Sequence, residues 1–229
     1  MTQWHRHSLP CREEVSLRKE NLFIGKYNKS VILTYVGIAF AFAGIALSLS
    51  GQLAGAMVCL ILAGICDLFD GVIARRCKRD EAAREFGVQI DSLADVVNFL
   101  ALPSVLGMYL MEDIGAVRYL ILFGYVLCGI IRLAWFNTSA AAQGPRSHYD
   151  GLPVTYSALI FPILWAFLGF LGGAPKAAFM AVVWAAAYAI TAVLFILNVK
   201  VAKPRGIWYG VFAVLAVGVT VLILVRRIV

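Results

Sequence analysis

The chain has 229 residues, is 62% hydrophobic and only 14% charged, and has a mean hydropathy of +0.84. A soluble domain of this size is usually roughly 45–50% apolar and 25% charged, so a water-soluble globule is excluded. The net charge of +7 would suggest nucleic acid in a soluble chain, but here the basic residues lie mostly between apolar segments and act as topology signals.

Residues 1–30 read as a cytoplasmic N-terminal segment. Arg6, Arg12, Arg18, Lys19, Lys26 and Lys29 all precede any apolar run, so the pattern of a cleavable signal peptide is absent. Between residues 8 and 27, Leu9, Val15, Leu17, Leu22 and Phe23 alternate with Arg12, Arg18 and Lys19, a pattern suited to an interfacial amphipathic helix. A disordered tail is an equal alternative for the first ten residues.

Apolar stretches near the roughly 20 residues needed to span a bilayer follow in order. They are Val31–Leu49, Leu53–Ala74, Val88–Met111, Val117–Phe136, Leu152–Leu171, Ala177–Val199 and Ile207–Val225. The connections are short, so residues 31–229 are expected to form one all-α transmembrane domain, a polytopic bundle of six core helices plus an extra C-terminal helix. Cys11, Cys59, Cys66, Cys77 and Cys128 form no CxxC pair, and no disulfides are expected.

Charge orients the bundle. Arg75, Arg76, Lys78, Arg79 and Arg84 follow the second span, and Lys200, Lys203 and Arg205 follow the sixth. The alternate connections hold Ser50-Gly51-Gln52, the acidic Glu112-Asp113 and a single Lys176. An inside N-terminus therefore places every strongly basic loop in the cytoplasm. Arg226 and Arg227 run against this rule if the seventh segment crosses.

Four carboxylates break the apolar pattern. Asp67 and Asp70 are spaced i, i+3 in Cys66-Asp67-Leu68-Phe69-Asp70-Gly71-Val72-Ile73-Ala74-Arg75, and Asp91 and Asp95 are spaced i, i+4 in Gly87-Val88-Gln89-Ile90-Asp91-Ser92-Leu93-Ala94-Asp95. Each pair projects from one helix face. An ionised carboxylate inside a membrane is costly unless it binds a cation or lines a wet cavity. Two facing helices carrying these pairs would form a divalent-cation site, and hard oxygen ligands suit Mg²⁺, Mn²⁺ or Ca²⁺. A lone buried aspartate paired with an arginine is the bland alternative. A divalent-cation transporter is the alternative of another class, although such sites usually lie near the midplane at broken helices.

Together these residues read D-x2-D-G-x2-A-R-x11-G-x3-D-x3-D, which resembles the signature of the CDP-alcohol phosphotransferase family at Asp67, Asp70, Gly71, Ala74, Arg75, Gly87, Asp91 and Asp95. The likeness is tight over residues 67–95 and architectural over roughly residues 30–200. It implies an integral-membrane enzyme that displaces CMP from a CDP-linked lipid by an alcohol, with two divalent ions (Mg²⁺ or Mn²⁺, Ca²⁺ as an alternative occupant) and a homodimeric state. Asp67, Asp70 and Asp91 would be metal ligands, and Asp95 the general base with a metal contact as well. Asp67, Gly71, Ala74, Arg75 and Gly87 would serve nucleotide and phosphate binding. Small residues let a ligand approach the backbone, and arginine offers a planar fork to phosphate. Close helix packing is the competing use of Gly71, Ala74 and Gly87.

Ile131-Arg132-Leu133-Ala134-Trp135-Phe136-Asn137 and Tyr149-Asp150-Gly151-Leu152-Pro153 look like elements of the bacterial phosphatidylserine synthase branch. That likeness implies CDP-diacylglycerol and L-serine as substrates and CMP as product, in the bacterial cytoplasmic membrane with the site facing the cytoplasm. Arg132 could then receive the serine carboxylate and Asn137 orient a polar group; snorkelling to the interface is the alternative for Arg132. Glycerol phosphate, inositol phosphate, inositol and choline are alternative acceptors. Two features depart from the family pattern. Many members carry P-N-x-x-T before the first span, whereas Asn28 here has no preceding proline and Thr34 lies six positions on; and the seventh apolar segment exceeds the six-helix core.

Overall fold

A computed structural model describes residue 25 and residues 29–76, 81–143, 148–170, 177–202 and 207–226. The interfacial helix expected at residues 8–27 lies, apart from Gly25, outside the described residues. Among the described residues the chain folds into a polytopic membrane helical bundle of seven rods. These are α1 (Lys29–Leu49), α2 (Leu53–Arg76), a third rod built of α3 (Glu81–Asp95) and α4 (Leu102–Leu110), α5 (Val117–Gln143), α6 (Ser157–Phe170), α7 (Ala177–Ile196) and α8 (Ile207–Arg226). Five are long and apolar enough to cross a membrane, and the apolar stretches Val154–Gly169 and Gly210–Val225 are shorter. Large hydrophobics such as Leu120, Phe123, Val214 and Val225 remain exposed, as lipid-facing residues should. This is an integral membrane protein.

α1 and α2 form an antiparallel hairpin. Gly51 closes it with a φ of 74°, a left-handed conformation that glycine adopts without steric cost, and the amides of Gly51 and Gln52 return to Ser48 and Leu47 carbonyls at 3.0 and 2.8 Å.

The third rod differs from the expected Val88–Met111 span. It begins earlier, at Glu81, and widens into a π turn over Val96–Ala101 immediately after Asp95. Pro103 bears part of the explanation. It has no N–H to offer the carbonyl four residues back, at Phe99, and an unmet carbonyl is costly inside a membrane. The Tyr125 hydroxyl donates to that carbonyl at 2.6 Å and the Ser157 hydroxyl at 3.3 Å, so α5 and α6 are tied to the break. The Tyr188 hydroxyl of α7 donates to the Pro103 carbonyl in the same way. Around these anchors Tyr125, Phe161, Tyr188 and Phe195 pack as an aromatic core, with Phe161 and Tyr188 stacked at 4.3 Å and Tyr125 edge-on to Tyr188 at 5.2 Å.

The fifth rod is shorter than the expected Leu152–Leu171. Residues Val154–Tyr156 form a 3₁₀ turn, and α6 begins only at Ser157. The bundle is all-α as expected, and its connections add one short ladder. β1 (His148–Asp150) and β2 (Lys200–Ala202) pair antiparallel in the connections before α6 and before α8. A backbone ladder can join these loops only if both lie on the same side of the bundle, the side on which an even number of crossings separates them.

Candidate active site in a membrane-embedded cavity

α2 carries Asp67 and Asp70 on one face, and α3 carries Asp91 and Asp95 on one face. Packing brings these faces together. Asp67, Asp70 and Asp91 each offer a carboxylate oxygen, all within 4.8 Å of one another. Oxygens bound to one divalent ion at roughly 2.0–2.6 Å lie up to twice that distance, about 4–5 Å, apart, so the donor set fits such an ion in spacing and in chemistry. Asp95 lies against Asp67, within hydrogen-bonding reach. Asp70 is buried and held from a third helix, because the Thr34 hydroxyl of α1 donates to its Oδ2 at 2.9 Å.

All four aspartates line one cavity of about 290 Å³. Arg132 of α5 lies in its wall, although 95% of its surface is removed from solvent. Its Nε donates to the Leu152 carbonyl at 3.2 Å, and its guanidinium sits 5.6 Å from the centre of the Phe136 ring. Gly151 makes room for this arrangement. Its φ is 81°, its amide donates to the Val199 carbonyl at 2.8 Å, and a Cβ there would lie 2.7 Å from the Phe195 carbonyl. Pro153, with Thr155 and Tyr156 of the 3₁₀ turn, closes one side, and Ile61, Ile65, Leu68 and Leu159 make the rest largely apolar. One end of the cavity is thus anionic and suited to cations, and the remainder is suited to hydrocarbon.

The model of the CDP-alcohol phosphatidyltransferase family matches residues 27–193, most of the chain and all four aspartates. The chain belongs to the CDP-alcohol phosphatidyltransferase family. Within it, the chain is similar to an archaetidylserine synthase of Methanothermobacter thermautotrophicus, with 32% identity over 128 residues, 56% of this chain and 53% of that protein. It is also similar to the CDP-diacylglycerol–serine O-phosphatidyltransferases of Helicobacter pylori (32% over 106 residues, 45% of this chain and 44% of that one) and Bacillus subtilis (32% over 102 residues, 43% and 52%). The matched segment spans about half the length of these relatives.

Of the residues in the CDP-alcohol phosphatidyltransferase signature, Asp67, Asp70, Gly71, Asp91 and Asp95 line the cavity. Gly87 sits on α3 one turn before Asp91, outside that lining. Ala74 and Arg75 continue α2, and their side chains lie outside the described residues. Asn137, the other residue expected on the acceptor side, meets Ser92. Its amide donates to the Ser92 hydroxyl at 2.8 Å, which braces α5 against the helix turn that carries Asp91 and Asp95. Thr34 was not among the expected site residues, because this stretch departs from the family pattern. It is the threonine of a degenerate P-N-x-x-T element, and its contact with Asp70 is visible only once α1 is folded against α2. Asn98 gave no sequence signal; it is buried just beyond Asp95, next to Gly37, and its Oδ1 has no hydrogen-bond partner among the described residues.

Proposed function

We propose that this chain is a CDP-diacylglycerol–serine O-phosphatidyltransferase, transferring the phosphatidyl group from CDP-diacylglycerol to L-serine with release of CMP. The observation that carries the reading is the convergence of Asp67, Asp70, Asp91 and Asp95 on one cavity that also contains Arg132 and opens into apolar walls. The names of the serine-transferring relatives support the acceptor. Membership of the family sets aside cation transport.

In this reading Asp67, Asp70 and Asp91, with a contact from Asp95, hold two divalent ions, Mg²⁺ or Mn²⁺. When bound, the ions neutralise the pyrophosphate and stabilise the charge that develops on the leaving phosphate. Arg75 contributes a phosphate contact, while Gly71, Ala74 and Gly87 leave space for the nucleotide. Arg132 receives the serine carboxylate through two parallel N–H donors. Asp95 takes the proton from the serine hydroxyl as its oxygen attacks the lipid-side phosphorus. The new bond is serine O–P, the bond that breaks joins that phosphorus to the oxygen of CMP, and the proton remains on Asp95 until solvent removes it. Asn137 acts on the acceptor side through Ser92, by holding α3 in place.

The protein is expected to work as a homodimer in a bacterial cytoplasmic membrane, with residues 1–30 and the cavity mouth on the cytoplasmic side and residues 31–229 as one catalytic domain. The test is CMP release and lipid mass with purified full-length protein, CDP-diacylglycerol, Mg²⁺ or Mn²⁺, and a panel of alcohols. Phosphatidylserine should be the preferred product. Preferred turnover of glycerol phosphate, inositol phosphate, inositol or choline would refute serine while leaving the family assignment intact.

A further inference from the structure

The cavity has a wall that the family match does not account for. Phe212 and Ala216 of α8 line it, yet the family match ends at residue 193. They lie i, i+4, on one face of α8. Ala216 is buried, as is Ile223 two turns on, whereas Val214, Val217, Val221 and Leu224 on the other faces are exposed. α8 is therefore one helix thick between the cavity and the lipid-facing surface, packed on α2 and α6. The Phe212 ring meets Tyr156 edge-on at 5.9 Å, which joins α8 to the 3₁₀ turn at the polar end of the cavity. Opposite, α2 and α6 approach closely: a Cβ on Gly64 would lie 2.7 Å from that of Ala158. The apolar part of the cavity is thus lined by α2, α6 and α8.

We propose that α8 is the side wall of a hydrocarbon channel, in which Phe212 and Ala216 contact the acyl chain of the CDP-lipid nearest its glycerol and so set which chains are accepted. This rests on the phosphatidyl-transfer reading, because the occupant is the apolar part of the molecule whose pyrophosphate meets the aspartates. Continuity decides the occupant: a single cavity joins four carboxylates to the Phe212 and Ala216 face, so a ligand with a polar head and a hydrocarbon tail fills both ends at once. A helix lying outside the family match would then tune lipid choice without altering the metal site.

Two measurements on the full-length protein in nanodiscs test this. The first uses CDP-diacylglycerol carrying a diazirine near the carboxyl end of one acyl chain, followed by irradiation and peptide mapping. Labelling should concentrate at residues 212–216 and fall with excess unlabelled CDP-diacylglycerol. Label confined to other helices, or label that does not compete, overturns the wall. The second compares kcat/KM for dioleoyl and dihexanoyl CDP-diacylglycerol by CMP release. Ala216→Phe should lower the dioleoyl-to-dihexanoyl ratio about tenfold, the scale on which apolar pockets discriminate. Phe212→Ala, which removes bulk instead of adding it, should raise that ratio. Ratios equal to wild type in both variants overturn the role in selection. Competed labelling of α8 without CMP release would sink the transfer reading and leave the wall standing; CMP release with labelling elsewhere would do the reverse.

Discussion

Thr34 and Asp70 are 36 residues apart, and their 2.9 Å hydrogen bond fixes a carboxylate that would otherwise choose among rotamers near three like charges. Thr34→Val keeps the shape and removes the donor. The Mg²⁺ or Mn²⁺ concentration for half-maximal CMP release is expected to rise roughly tenfold, in keeping with the 1.5–3 kcal/mol of a hydrogen bond to a charged group. Thr34→Ser should restore most of it, and a metal titration unchanged in the valine variant would remove Thr34 from the site. Asp91→Asn removes a proposed metal ligand instead of a brace, so several decades of rate should vanish, as they should for wild type in excess EDTA. Full activity under chelation would end the two-metal proposal. For Arg132, substitution by lysine should raise the serine KM more than it changes CDP-lipid affinity, because an ammonium cannot reproduce the two-pronged contact. An unaltered serine KM would take Arg132 out of the acceptor site.

Among the elements, the π turn at Val96–Ala101 shows how one residue type propagates. Pro103 frees the Phe99 carbonyl, and hydroxyls from α5 and α6 converge on it. Tyr125→Phe should lower thermal stability by about 1–2 kcal/mol, the range for hydrogen bonds inside membranes and for orphaned buried acceptors. Ser157 still reaches the carbonyl in that variant. Combining Tyr125→Phe with Ser157→Ala should therefore cost more than the sum of the two single changes, measured by thermal unfolding in detergent. Strict additivity would mean that the two hydroxyls do not share the work. The π turn also begins immediately after Asp95, so melting it should impair CMP release before it unfolds the bundle.

At the scale of the molecule, topology is the open quantity with a sharp test. The β1–β2 ribbon puts the connections before α6 and α8 on one side, and the basic loops favour the same side as the connection between α2 and α3. Cysteine-accessibility mapping should find residues 78–85 and 145–150 in the cytoplasm and Glu112 and Asp113 outside. Residues 78–85 on the outer face would invert the siting of the active centre. If the seventh rod crosses, the same mapping should find the C-terminus outside, with the long side chains of Arg226 and Arg227 reaching the interface.

Much of this was legible in one dimension. Apolar length defined the seven rods, because a bilayer demands about 20 residues of hydrocarbon-compatible helix wherever the chain crosses. The 3.6-residue period put Asp67 with Asp70 and Asp91 with Asp95, since spacing alone decides which side chains share a helix face. Contacts between elements were not legible. Nothing local indicates that Thr34 meets Asp70, that Asn137 turns to Ser92, or that Tyr125 and Ser157 fill a carbonyl left open by a proline four residues away. The lining of the cavity by Phe212 and Ala216 was equally hidden, because α8 reads as one more apolar span whichever neighbour it packs on. Sequence dictates which groups a helix must bury or cannot satisfy by itself; which helix supplies the missing partner is settled only when the rods pack.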